Sequence, residues 1–168
     1  MDDYDNHEIE LLPVTHITAD AIGPPGKRVF YLQGTKDDQV VTLIIEKFQL
    51  QTLTIGIEQF LAEVRQRIPL LREASGEYEE DRMRILPPVE PLFRVAEFGL
   101  SFDGDRDLLG VFAREYPAPA EGSDEPSEGM VVKLWCTRDQ ARALVQWGTE
   151  IASRGRPLCE QCGQPMDP

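Results

Sequence analysis

The residues best suited to chemistry stand at the C-terminal end. In GRPLCEQCGQPMDP (155–168), Cys159 and Cys162 form a C-x-x-C pair with Gly163 directly behind, and Pro157 and Pro165 stiffen the flanks. Two thiolates at this spacing make one knuckle of a zinc site, and a structural zinc takes four ligands. A redox pair of the same spacing belongs at a helix N-terminus after a strand, where thiolate is stabilised. Here the pair follows a helical pattern instead. The surroundings therefore point to zinc held by Cys159 and Cys162, with a redox couple and an unmetallated exposed pair as the alternatives. Cys136 closes an apolar strand beside Trp135 and reads as a buried, inert thiol.

Other chemistry is thinner. His7 and His16 are the only histidines; the first sits in an acidic tail, the second mid-strand among threonines, so neither a catalytic triad nor a two-histidine metal site is expected. Asp103-Gly104-Asp105-Arg106-Asp107 alternates carboxylates as a calcium loop does, but it lacks the following glycine and the distal glutamate, and reads as a hairpin turn. Glu46, Asp20 and Glu97 would supply an acid–base pair only if the fold brought two of them into one pocket with perturbed ionisation. Phe30, Tyr31, Phe93, Phe98 and Phe102 could stack bases, provided that Lys27, Arg28, Lys47 and Arg94 gather on one face. The run Glu77 to Asp81 reads as solvated charge. There is no glycine-rich phosphate loop, nucleophile elbow or H-E-x-x-H.

Composition narrows the partners. Thirty acidic against seventeen basic residues give a net charge of -13 over 168 residues, which repels phosphate backbones unless a local basic patch intervenes. The longest apolar run, VVTLII (40–45), is too short to span a bilayer. The acidic start MDDYDNHEIE has no apolar core of a secretory signal, and three cysteines are no disulfide framework. The expectation is a cytoplasmic protein without membrane contact.

The elements that must position these residues come in two matching sets. Val14–Ile22, 28–34 and 39–47 read as strands around the turns GPPG and TKDD, and a helix over 50–68 presents Leu53, Ile57, Phe60, Leu61 and Val64 on one face. The order then repeats: strands over 93–102, 108–116 and 130–136, and a helix over 137–153 opened by a capping box from Thr137 to Gln140. VVTLIIEKFQLQTL aligns with VVKLWCTRDQARAL, pairing Gln49 with Gln140 and Leu53 with Leu144. These features predict an α+β domain over 11–156, with duplicated strand-strand-strand-helix halves at about 12–68 and 91–153. Its six strands would form antiparallel sheet under two packed helices. Residues 1–10 are expected to be a flexible tail, 72–91 a charged connector, 117–129 a disordered-looking loop and 157–168 a partial zinc knuckle. Leu144, Trp147 and Ile151 should join the core; Glu63, Arg142 and Glu150 should stay wet.

GPPGKRVFYLQ (23–33), EKFQLQTL (46–53) and the closing GRPLCEQCGQPMDP resemble an uncharacterised, mainly actinobacterial family catalogued as domain of unknown function 3090. The resemblance covers nearly the whole chain. It implies that the tail continues past Pro168 with a glycine-histidine pair and a further cysteine, which would complete a Cys-Cys-His-Cys zinc set. It implies no reaction. The leading functional expectation is a non-enzymatic binding or adaptor protein with a protein partner or a homodimeric state. A single-strand nucleic-acid binder of Pur-alpha or whirly topology is the next reading, and a carboxylate enzyme the third.

Overall fold

The computed structural model describes residues 8–24, 26–117 and 129–154. Among these, two runs of strand, strand, strand and helix follow one another along the chain. The first is β2 (His16–Ile22), β3 (Val29–Lys36), β4 (Gln39–Ile45) and α1 (Lys47–Arg67); the second is β5 (Pro91–Asp103), β6 (Leu108–Glu115), β7 (Val131–Thr137) and α3 (Arg138–Ser153). A short strand β1 (Glu8–Leu11) precedes them, and a one-turn helix α2 (Glu80–Met83) lies between.

The strands form one seven-stranded sheet in the order β1-β7-β6-β5-β4-β3-β2. Each run is an antiparallel meander, as short connections dictate. The sheet is nevertheless mixed. β4 pairs with β5 in parallel, the long excursion through α1 and α2 permitting it, and β1 pairs in parallel with β7. The expectation of purely antiparallel sheet is corrected on both counts. The second parallel pairing also draws residues 8–10 out of the expected tail and into the sheet.

β5 is long because it serves two neighbours. Its first residues pair with β4, and from Val95 onward it pairs with β6 through a register shift between Val95 and Glu97. Such an irregularity bends a strand, and the sheet curls until β3 and β7 face one another: a Cβ at Gly34 would lie 2.8 Å from Leu134. The ends of the sheet are laced by the crossing from β1 to β2, where Val14 N–H donates to the Trp135 carbonyl at 2.8 Å and Thr15 N–H to that of Thr35 at 2.7 Å.

One apolar face lines the interior, with Ile17, Leu32, Leu43, Leu109, Val111 and Leu134 all buried. α1 contributes Leu50, Leu53, Ile57, Leu61 and Val64, at the spacing the sequence predicts, and α3 contributes Leu144, Trp147 and Ile151. The helices meet closely, since a Cβ at Gly148 would stand 3.1 Å from both Leu50 and Thr54. Phe60 is only half-buried, at the rim of the core. Arg142 is not wet as expected: it is half-buried and bridges Glu58 and Glu73.

The expected connector 72–91 is structural. Ala74, Met83 and Ile85 are buried, and the outer faces of β2 to β4 carry buried polar groups that receive the segment. Thr18 Oγ1 donates to the Met83 carbonyl at 2.6 Å, Asp20 Oδ2 accepts from Ile85 N–H at 3.1 Å, and Gln33 Oε1 accepts from Leu86 N–H at 2.9 Å. Side chains here give an irregular backbone the bonds that a neighbouring strand would otherwise supply. Charge ties the same segment to α3: Arg72 to Asp139, Glu73 to Arg142 and Glu80 to Arg154. Glu80, read as solvated, is thus engaged, and Arg154 holds its carboxyl below the usual range.

Candidate functional site

The two long helices begin alike and pack differently. In α3, Thr137 Oγ1 accepts from Gln140 N–H at 3.0 Å and Gln140 Oε1 from Thr137 N–H at 2.9 Å, the predicted capping box. The Gln140 amide group then donates to the Thr15 carbonyl at 3.1 Å. In α1, Glu46 and Gln49 form the same box, with Glu46 N–H donating to Gln49 Oε1 at 2.8 Å. Gln49 Nε2 reaches the Val95 carbonyl at 3.0 Å and that of Ala96 at 3.4 Å, where β5 changes register. Each glutamine therefore fastens the first turn of its helix to the neighbouring meander, Gln49 to β5 and Gln140 to the residue just before β2.

Past that turn the joints diverge. α3 places Trp147 against β2, fully buried, its indole N–H donating to the Ala19 carbonyl at 2.6 Å. Tyr78 packs edge-on against the ring at 5.8 Å between centroids, and the Arg84 and Arg154 guanidinium groups lie over it. At the same distance from its own capping glutamine, α1 carries Gly56. The nearest side-chain atom to a Cβ built there is Leu100 Cδ1, at 3.7 Å.

A groove of about 620 Å³ lies at that joint, between α1 and β5. Leu53, Gly56, Phe98 and Leu100 line it, and so do Phe48, 67% exposed, and Tyr116, 58% exposed. Glu46 and Glu97 also line it, each matched to an arginine rather than to the other: Glu46 pairs with Arg94, and Glu97 with Arg114 at 3.5 Å. The groove is concave, largely apolar and of a size that accommodates small ligands.

A second cavity, of about 370 Å³, adjoins the first at Glu46. Arg28, Lys47 and Arg94 line it, three of the four cations whose gathering the sequence left open; Lys27 is not among its lining residues. Arg28 is held in place by donation from Nη1 to the Ile151 carbonyl at 3.0 Å and by the Phe30 ring, 4.9 Å beneath its guanidinium carbon.

The remaining sequence-predicted residues are not brought together. Asp20, 3% exposed, lies beneath the 83–86 segment, also accepting from Ala21 N–H and pairing with Arg84. It therefore joins neither Glu46 nor Glu97. Phe30 and Phe93 are core residues; Tyr31, Phe98 and Phe102 are half-buried. His16 lines a separate cleft of about 980 Å³ between β2, residues 76–83 and α3. Burial lowers its pKa, and a hydrogen bond to the Arg82 backbone opposes the shift. In the same cleft the Arg72 guanidinium holds the Asp139 carboxyl below its usual range. The DGDRD segment makes the β5–β6 turn: Asp103 Oδ1 accepts from the Asp105 and Arg106 amides, and Asp107 anchors the buried Arg138 at 2.7 Å. Cys136 is buried, and burial pushes its thiol up to about 12.

Cys159, Cys162 and His7 lie outside the described residues. Among the described residues no three His, Cys, Asp or Glu side chains gather as a metal site would require, and no helix is long and apolar enough to cross a membrane. Sequence reasoning passed over Phe48, Gly56 and Tyr116. A glycine inside a helix costs about 1 kcal/mol relative to alanine, so Gly56 was the signal: a position that pays for an absent side chain.

No curated protein and no solved structure matches the chain. The model of the family described as "Protein of unknown function (DUF3090)" matches residues 9–168, from within β1 through the C-x-x-C tail, and it is to this family that the chain belongs.

Proposed function

We propose that the protein is a non-enzymatic binding protein whose ligand places an apolar group in the groove between α1 and β5. The observation that carries this is the pair of aromatic side chains, Phe48 and Tyr116, left exposed beside a cavity that Gly56 keeps open. Leaving large apolar groups in water forgoes burial worth about 25 cal/mol per Å². A small ligand suits the groove better than a broad protein face, because a standard protein interface needs about 800 Å² on each partner. The adaptor reading, with a protein partner or a second copy, becomes an outcome of the test.

Several finer readings accompany this one. Descent of the two halves from one duplicated unit is supported by their shared strand order and by the matched roles of Gln49 and Gln140. Zinc at Cys159 and Cys162 rests on their spacing; metal analysis of wild type and Cys159→Ser tests it, and equal zinc in both would end it. A reducing, cytoplasmic setting suits the free thiol of Cys136. The single-strand nucleic-acid reading is weakened because Phe30 and Phe93 belong to the core. The carboxylate-enzyme reading is weakened because Glu46 and Glu97 each face an arginine.

The test is fluorescence of the neutral apolar probe N-phenyl-1-naphthylamine. Wild type should bind it, and both Phe48→Asp and Gly56→Trp should weaken binding by roughly tenfold or more. Phe48 is mostly exposed, so its variant keeps the test sound should the tryptophan perturb folding. Wild-type protein that ignores the probe, or variants that bind it unchanged, would remove the groove as a ligand site. A concentration-dependent dimer that dissociates in Phe48→Asp would instead assign the groove to a second copy.

A further inference from the structure

We infer that His16 is a proton-operated latch: in mild acid it loses its grip on residues 76–86, and that segment lifts from the outer face of β2 while the sheet, α1 and α3 stay folded. The latch stands apart from the groove. His16, Thr18 and Asp20 alternate along one face of β2, and each meets the same stretch of the segment. The His16 ring bonds the Arg82 backbone, Thr18 Oγ1 donates to the Met83 carbonyl, and Asp20 Oδ2 accepts from Ile85 N–H. Three side chains thus stand in for a strand partner. The first of them is a histidine, whose charge changes between about pH 5 and 8.

The fold suits the neutral ring. Nε2 is buried and has no hydrogen-bond partner among the described residues. A bare lone pair costs less there than the N–H of an imidazolium, a charged donor with neither water nor acceptor. The charged groups nearby do not compensate. Glu77, Glu79 and Arg82 of the segment and Asp139 of α3 line the same cleft, and Thr35 stands opposite on β3. Glu79 pairs with Arg82 and Asp139 with Arg72, and among the described residues no carboxylate pairs with the ring. Burial therefore outweighs the Arg82 contact and holds the pKa below its ordinary 6.5. Where the segment opens, the ring meets water and regains that value. The folded pKa is the lower one, so the latch holds fully above pH 6.5 and is lost as pH falls through the lowered value. One pH unit below the ordinary value, the opened state gains at most about tenfold. Glu80 and Asp139 also tie the segment down, and their carboxyls are held below the usual range, so those pairs outlast this window.

Amide hydrogen exchange of the full chain, corrected for its intrinsic pH dependence, tests the latch. The amides of Ile85 and Leu86, bonded to Asp20 and Gln33, report on the segment. Between about pH 7.5 and 5.5 they should lose protection by roughly three- to tenfold. Core amides such as those of Leu134 and Leu144 should keep theirs. His16→Gln, uncharged throughout, should show no such loss. Unchanged protection in wild type, or the same loss in His16→Gln, would overturn the latch. Equal loss at Leu134 and Leu144 would overturn the local opening. Should His16→Gln fail to fold, an NMR titration of the wild-type ring protons decides. A His16 that titrates at or above its ordinary 6.5 overturns the inference, and one that titrates below it supports the latch.

Discussion

The joint between α3 and β2 and the joint between α1 and β5 start from the same device and end in opposite conditions. Each helix opens with a capping box whose glutamine also bonds a backbone carbonyl of the neighbouring meander, Gln140 that of Thr15 just before β2 and Gln49 that of Val95 in β5. In one joint Trp147 then fills the space and bonds Ala19; in the other Gly56 leaves it empty. On the proposal that the groove binds a ligand, the fold assigns stability to one joint and recognition to the other, with a single position deciding which. Groove-lining residues should therefore be tolerant for folding and intolerant for binding, and residues around Trp147 the reverse.

The most forceful way to break this comparison is Trp147→Ala. It removes a fully buried indole and the shorter of the side-chain bonds to the Ala19 carbonyl, and should cost about 3–5 kcal/mol in chemical denaturation. A loss below about 1 kcal/mol would mean that the filled joint does not anchor the fold. A finer comparison sets Gln140→Ala beside Gln49→Ala. Each should cost about 1 kcal/mol, the usual worth of a helix cap. Only Gln49→Ala should also alter probe binding, because only that glutamine fixes the edge of the groove; equal effects on the probe would erase the asymmetry. Smallest in energy is Gly56→Ala. The methyl group has room, and helix propensity should raise stability by about 0.5–1 kcal/mol while the probe binds less well. An unchanged probe affinity would show that the groove has space to spare at Gly56.

Much of the frame was legible in the sequence because it is local. The apolar spacing from Leu53 to Val64 gave α1, Thr137 and Gln140 gave the start of α3, and the alternation in VVKLWC gave β7. The parallel pairings were not legible, since nothing in EIEL distinguishes a tail from a strand except the partner waiting at Val131–Leu134. The segment 72–91 misled for a related reason. Its own composition is polar, and what receives it is Thr18, Asp20 and Gln33 on strands far away in sequence. The candidate site was half visible. Its cations were singled out by type, but its aromatic lips and its glycine acquire meaning only once α1 lies beside β5.

The way the sheet ends bears on how this protein can associate. Many sheets recruit a partner by extending themselves, offering a terminal strand on which another chain can continue the ladder. Here one terminal strand, β2, has carbonyls already occupied, that of Ala19 by an indole and that of Thr15, just before it, by an amide. The other, β1, is four residues long and presents Glu8 and Glu10. Glu8 is tied to Lys133 and Glu10 to the Trp135 indole. A short, charged strand at one end and an edge met by α3 at the other make poor templates for cross-chain pairing. On the reading proposed above, recognition falls to a concave surface that can be filled without adding a strand.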